Sequence, residues 1–390
     1  MGRRVVIVGA VRTPIGSFQG SLSALSVPQL GAVVIRSALQ RASVEASSVD
    51  EVMMGCVLQA GVGQAPARQA SIWAGLSETV PTVTINKVCG SGLKAVLSAA
   101  QAISQGDAEV IVAGGMESMS NAPYLSHQMR TGARMGDVKF QDAMILDGLL
   151  DVYGQVHMGV CAEECASNFG ISRPEQDAFA LESTRRAQHA QREGLFREEI
   201  IEVSVPQKKG EPVLVSEDEG PKTARPGKIP GLKPVFKKDG TVTAGNASSL
   251  NDGAAALVLM TEERATAGAH KILGRIAGYA EAARKPSEFT IAPADAINRL
   301  LKKVNRSASE VDLWEINEAF AVVSIANNRL LNLDASKVND WGGRGQLGAS
   351  VGGFRGARIG YLTARDEDFG QTSGRCVPLH WGRGGHRADG

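Results

Sequence analysis

The chain has 390 residues and a mass of 41.0 kDa, with 43% hydrophobic residues and a formal net charge of +1. That length has room for two domain-sized cores, and that composition excludes a disordered chain. A near-neutral balance gives no electrostatic reason to expect nucleic acid or an anionic membrane surface, so the expected partner is a small molecule.

The apolar run Val5 to Val8 reads as a buried strand that gives way to a loop at Gly9 to Phe18. Pro28 to Gln40 repeats apolar residues at helical spacing, and Val49 to Gly55 returns to strand. Next comes Val80-Pro-Thr-Val-Thr-Ile-Asn-Lys-Val-Cys-Gly-Ser-Gly-Leu-Lys-Ala95, a β-branched strand, a Gly-flanked turn and a helix that continues to Ile103. Cys89 sits at that turn, where unpaired helix N-terminal amides are expected to lower its pKa and favour the thiolate. Gly90 and Gly92 lack a Cβ and let a substrate carbonyl approach the sulfur. On this motif alone, a nucleophile and a small space-filling cysteine both remain open.

Ala108 to Gly115 adds another strand, and strands alternating with helices imply a mostly parallel sheet covered on both faces. From Met116 to Ser249 the texture changes to polar loops, a helical pattern from Arg173 to Glu193 and a basic, Pro-rich tract from Lys208 to Lys238. This stretch is expected to be an insertion between two α/β halves. Core texture resumes at Asn251 to Met260, and the order of the first half is then echoed. Ala308 to Ile316 matches Ser47 to Val52, and Ile316-Asn317 matches Ile85-Asn86, which suggests duplication.

Five cysteines (Cys56, Cys89, Cys161, Cys165, Cys376) are an odd number over a large chain, which argues for a reducing compartment rather than a disulfide framework. Cys161 and Cys165 lie one helical turn apart and read as helix packing, with no further pair to complete a zinc set. No apolar run approaches the ~20 residues of a membrane span, and the N-terminus does not read as a signal peptide. A cytoplasmic protein is therefore expected.

Several further residues admit two readings. Asn317 either aims its amide at a site or is an ordinary N-cap. His157 either binds a carbonyl or phosphate through one nitrogen or, as is expected without a family, is structural. The basic residues of Lys208 to Lys238, with Lys222 the foremost candidate, either meet nucleotide phosphates or are solvated. Met116 and Met119 read as packing.

Taken in order, Val88-Cys-Gly-Ser-Gly-Leu-Lys-Ala95, Ala113-Gly-Gly-Met-Glu-Ser-Met-Ser120, His157-Met-Gly159, Gly245-Asn-Ala-Ser-Ser-Leu-Asn-Asp-Gly-Ala-Ala255 and Asn317-Glu-Ala-Phe-Ala321 make a specific pattern. With it the chain resembles the thiolases, most closely the bacterial acetyl-CoA acetyltransferases among them. The resemblance implies a five-layered α-β-α-β-α core from two similar halves, residues 1–116 and 250–390, with a loop domain at 117–249 over the active site. It implies acetyl-CoA and acetoacetyl-CoA as substrates, no cofactor beyond coenzyme A thioesters, and a homotetramer, with polyhydroxybutyrate or ketone metabolism as the setting. By the same resemblance Cys89 is the acylated nucleophile and Asn317 holds an oxyanion-site water. His157, Met158, Phe236, Ser248, Ala319 and Phe320 line the acyl or coenzyme A channel. A degradative 3-ketoacyl-CoA thiolase and a non-catalytic acyl- or lipid-binding protein are the alternatives.

The resemblance stops after Asn339. The family's Gly-His-Pro and Cys-Ile-Gly-Gly-Gly motifs are missing, and Gly348-Ala-Ser-Val-Gly and a Gly-, Arg- and His-rich tail stand in their place. Read one base later, permitted codons from Gly348 and from Cys376 restore both motifs, so 340–390 is expected to be a frameshifted translation. Resequencing the gene tests this: an in-frame read of Ala349-Ser-Val would end the idea. No base role falls on any residue past Phe320. The chain as written is expected to be acylated at Cys89 yet to condense poorly, because general-base help contributes ~10²- to 10⁴-fold.

Overall fold

A computed structural model of the chain describes residues 2–343. The frameshift expectation for the tail lies, from residue 344 onward, outside the described residues, as does Cys376.

Strand β1 (Val5–Arg12) and β2 (Gly16–Ser17) precede helix α1 (Val27–Ala42). Pro28 lies in the first turn of α1, and Gln29 Oε1 accepts from the Ser26 amide at 2.8 Å, which closes the helix start. Then follow β3 (Glu51–Gly55), α2 (Pro66–Ala74), β4 (Thr82–Ile85), α3 (Ser91–Gln105) and β5 (Val110–Ser118). The inserted stretch carries α4 (Met158–Asn168) and α5 (Arg173–Arg192), and ends at β6 (Asn251–Thr261). Short β7 (Gly274–Arg275), α6 (Ala292–Lys303) and α7 (Ala321–Leu331) complete the main elements.

These seven strands form one sheet in the order β7-β1-β6-β5-β3-β4, with β2 paired to β6, and three short hairpin-like pairs lie outside it. The sheet is mixed rather than mostly parallel: β3 runs parallel to β4 and β5, but β6 is antiparallel to both β1 and β5. From sequence, β6 is expected in the second half; it lies instead at the centre of the first sheet. All eleven of its residues are buried, as required of a strand with neighbours on both edges and helices over both faces.

Under α1 and α2, Leu30, Val34 and Ile35 pack on Met54, Met116 and Val258. Under α3, Val96 and Ile103 pack on Ile111, Leu257 and Leu259. These are the first three of the expected five layers. In the second half, Leu300 and Leu301 of α6 pack on Val311, Trp314 and Ile316, and α7 packs on Ala162, Cys165 and Ala166 of α4. Among the described residues the segment echoing β3 forms a single bridge, Trp314 to Val338.

Candidate active site

The site is built on the turn between β4 and α3. Val88 adopts φ 48, a left-handed conformation unfavourable for a β-branched residue. It is held there by the Asn86 side chain, which accepts from the Val88 amide at 3.0 Å, and by Ser91 Oγ, which donates to the Val88 carbonyl at 2.6 Å. The strain presents Cys89 just ahead of the first helical residue, Ser91. Gly55, at the end of β3, makes this possible, since a Cβ there would stand 2.4 Å from the Gly92 amide nitrogen.

Cys89 opens onto a cavity of about 380 Å³. Val57 and Leu58, after β3, form one wall; Glu117 and Met119, at the end of β5, form the next. Opposite stand the π-helical turn Met144–Leu149, the His157-Met158 start of α4, and Phe236. Ala247, Ser248, Ala319 and Phe320 close it. Burial and then the charge of Glu117 push the Cys89 thiol up, with only partial relief from its own backbone amide. This corrects the expected lowering: one helix N-terminus does not offset removal from water beside a carboxylate.

His157 stacks on Phe236 with ring centroids 4.6 Å apart, and Phe236 meets Phe320 edge-on at 6.2 Å. A Cβ at Gly159 would lie 2.3 Å from the Phe236 ring, so glycine is what admits the stack. His157 Nδ1 accepts from the Gly159 amide at 3.0 Å and burial lowers its pKa, leaving a neutral ring with Nε2–H as its donor.

Of the nine residues named from sequence, Cys89, His157, Met158, Phe236, Ser248, Ala319 and Phe320 share this cavity, while Asn317 and Lys222 do not line it. Asn317 is not an N-cap, because Phe320 caps α7. It lies on a loop clamped from two sides. Glu318 accepts from Ser183 Oγ at 2.8 Å and from Asn339 Nδ2 at 2.6 Å, while Ser248 donates its amide to the Ala319 carbonyl at 2.9 Å. Lys222 instead pairs with Glu217 at 2.5 Å on the surface. Met119, expected as packing alone, is both buried and part of the wall.

Comparison with known proteins now bears on this geometry. The family model described as thiolase, N-terminal domain, matches residues 5–263, and thiolase, C-terminal domain, matches residues 270–373. The chain belongs to the thiolase family. The first match runs through β6, in keeping with that strand's place in the first sheet. Over 349 residues the chain is 53% identical to an acetyl-CoA acetyltransferase of Pseudomonas aeruginosa, covering 89% of each chain. With an acetyl-CoA acetyltransferase of Cupriavidus necator it shares 51% identity, covering 91% of this chain and 90% of the other. The crystal structure of Acat5 thiolase from Ascaris suum in complex with coenzyme A superposes with a TM-score of 0.86 at 43% identity, covering 90% of each chain.

In this thiolase two buried carboxylates escaped the sequence reading. Glu163 of α4 accepts from the Thr241 and Val242 amides, each at 2.8 Å, and so fixes the segment leading to Ala247 and Ser248. Glu117 accepts from the Val57 and Leu58 amides at 2.8 and 3.1 Å. An acidic residue ending an all-buried strand was the available signal for Glu117.

Proposed function

We propose that this thiolase joins two acetyl-CoA into acetoacetyl-CoA and free coenzyme A, reversibly, through an acyl group on Cys89. The observation that carries this is Cys89 facing an apolar cavity from a strained strand-to-helix turn. Attack of the Cys89 sulfur on a thioester carbonyl forms the acyl-sulfur bond and breaks the carbonyl–sulfur bond to coenzyme A, which leaves with the thiol proton. A second acetyl-CoA then loses a methyl proton, and its carbanion takes the acyl group and frees Cys89. The stretch in which the family carries its histidine and second cysteine lies outside the described residues.

The small-acyl reading is supported by relatives of about half-identical sequence that bear the acetyl-CoA acetyltransferase name. Thiolysis rates over a chain-length series of 3-ketoacyl-CoA substrates test it. Acetoacetyl-CoA should be cleaved fastest; a preference for long chains would favour a degradative thiolase.

Our reading extends to a homotetrameric, cytoplasmic enzyme of polyhydroxybutyrate or ketone metabolism that uses no cofactor besides its coenzyme A substrates. Exposed Tyr124, Met129, Met135 and Phe140 support self-association, since such an apolar group suits an interface. Among the described residues no helix is long and apolar enough to cross a membrane.

A further inference from the structure

Glu117 is 1% exposed at the end of β5, yet it forms part of the wall of the cavity that holds Cys89. Its two oxygens take the amides of Val57 and Leu58, and these two residues are themselves wall. One side chain therefore grips the main chain against which a bound acyl group would lie. The titratable groups around it come from four elements. Cys56 Sγ, following β3, stands 3.8 Å from Oε1. Asp252 of β6, paired opposite Ser118 and held by Ser118 and Ser120, adds its charge. Cys89 comes from the turn before α3, and His157 from the start of α4.

We propose that Glu117 is a positioning residue for acyl transfer: ionised, it holds the Val57–Leu58 wall in place and adds to the burial that opposes ionisation of the Cys89 sulfur; protonated, it relaxes both. The inference rests on Cys89 as the nucleophile and adds a group that times its ionisation. Two amides bind a carboxylate more strongly than a neutral carboxyl, one of whose oxygens becomes a donor. In a confined site a negative charge acts on a neighbouring sulfur more strongly than it would in water. Burial, reinforced by Asp252, lifts Glu117 to about 7 against the relief of its hydrogen bonds, which puts the change of state in the neutral range.

The test is the pH dependence of Cys89 alkylation by iodoacetamide in the full chain, followed on the Cys89 peptide by mass spectrometry. Glu117→Gln removes the charge, and Glu117→Asp keeps it on a shorter stem. The Gln variant should titrate at lower pH and alkylate about three- to tenfold faster near pH 8, while the Asp variant stays close to the parent. An unchanged or raised midpoint in the Gln variant, or equal shifts in both, would overturn the proposal.

If the Gln variant does not fold, amide exchange in the unsubstituted chain decides. Protection at Val57 and Leu58 should fall as pH drops through about 7 relative to Val52 and Met54; protection independent of pH would overturn it. Alkylation needs no acyl donor. An intact alkylation shift without acetyl labelling of Cys89 would therefore fault the proposed activity while leaving the hold of Glu117 on the Cys89 sulfur standing.

Discussion

In the proposed reaction Cys89 works against its surroundings. Its sulfur is buried and the charge of Glu117 acts on it, so a thiolate attacking a thioester as proposed would be formed inside the cavity rather than held ready. A cysteine just ahead of Gly90 and Gly92 was legible in the sequence, but the sign of its pKa shift was not. That sign is set by burial in the folded cavity and reinforced by Glu117, which is 28 positions away and arrives only when β5 is laid beside β3. The same carboxyl gives a stability prediction. Its pKa is raised above the usual 4.5 to about 7, so between those values the folded state binds more protons than the unfolded one. Its contribution to stability therefore falls as pH rises through that window, by about 3 kcal/mol in all. Urea midpoints of parent and Glu117→Gln at pH 5 and pH 8 should show the variant gaining on the parent at the higher pH. A difference that does not change with pH would contradict this.

Among elements, the turn before α3 depends on how closely β3 approaches it. Replacing Gly55 by alanine would drive a Cβ to 2.4 Å from backbone atoms of Ser91 and Gly92, and backbone cannot step aside as a side-chain end can. Gly55→Ala should cost about 1–3 kcal/mol in urea unfolding and slow Cys89 alkylation by displacing the turn. Full stability with unaltered alkylation would show that the packing is looser than described. Helices α1 and α5 were legible because a Ser followed by a first-turn proline marks their starts, and α3 because of its apolar spacing. The place of β6 was not: a continuous apolar run declares a central strand but not which sheet it enters. Likewise the sequence order strand-Asn317-helix suggested a cap, whereas the helix starts only after Phe320, because the Glu318 clamp and the Ala319 carbonyl bond hold the intervening residues in a loop.

For the whole molecule, the insertion is tied to the sheet by Arg12, buried at the end of β1. It reaches Asp218 at 2.7 and 2.9 Å and Glu199 at 2.7 Å, partners 206 and 187 positions away. No local pattern reveals contacts of that span, so this anchor was invisible in the sequence. Arg12→Met should destabilise the chain by about 3–5 kcal/mol, because Asp218 is left buried without its main counter-charge. Adding Asp218→Asn should recover part of the loss in the same urea titration; a single-variant loss below about 1 kcal/mol would mean the lock is not structural. Seven of nine site residues named from sequence do converge once the chain is folded, since the turn, α4 and the loop before α7 all face one cavity. The most direct check is to incubate the full chain with labelled acetyl-CoA, digest it, and locate the label by mass spectrometry. One acetyl group on the Cys89 peptide, absent in Cys89→Ser, is the predicted result; a folded protein with no label, or with label on another cysteine, would contradict the account.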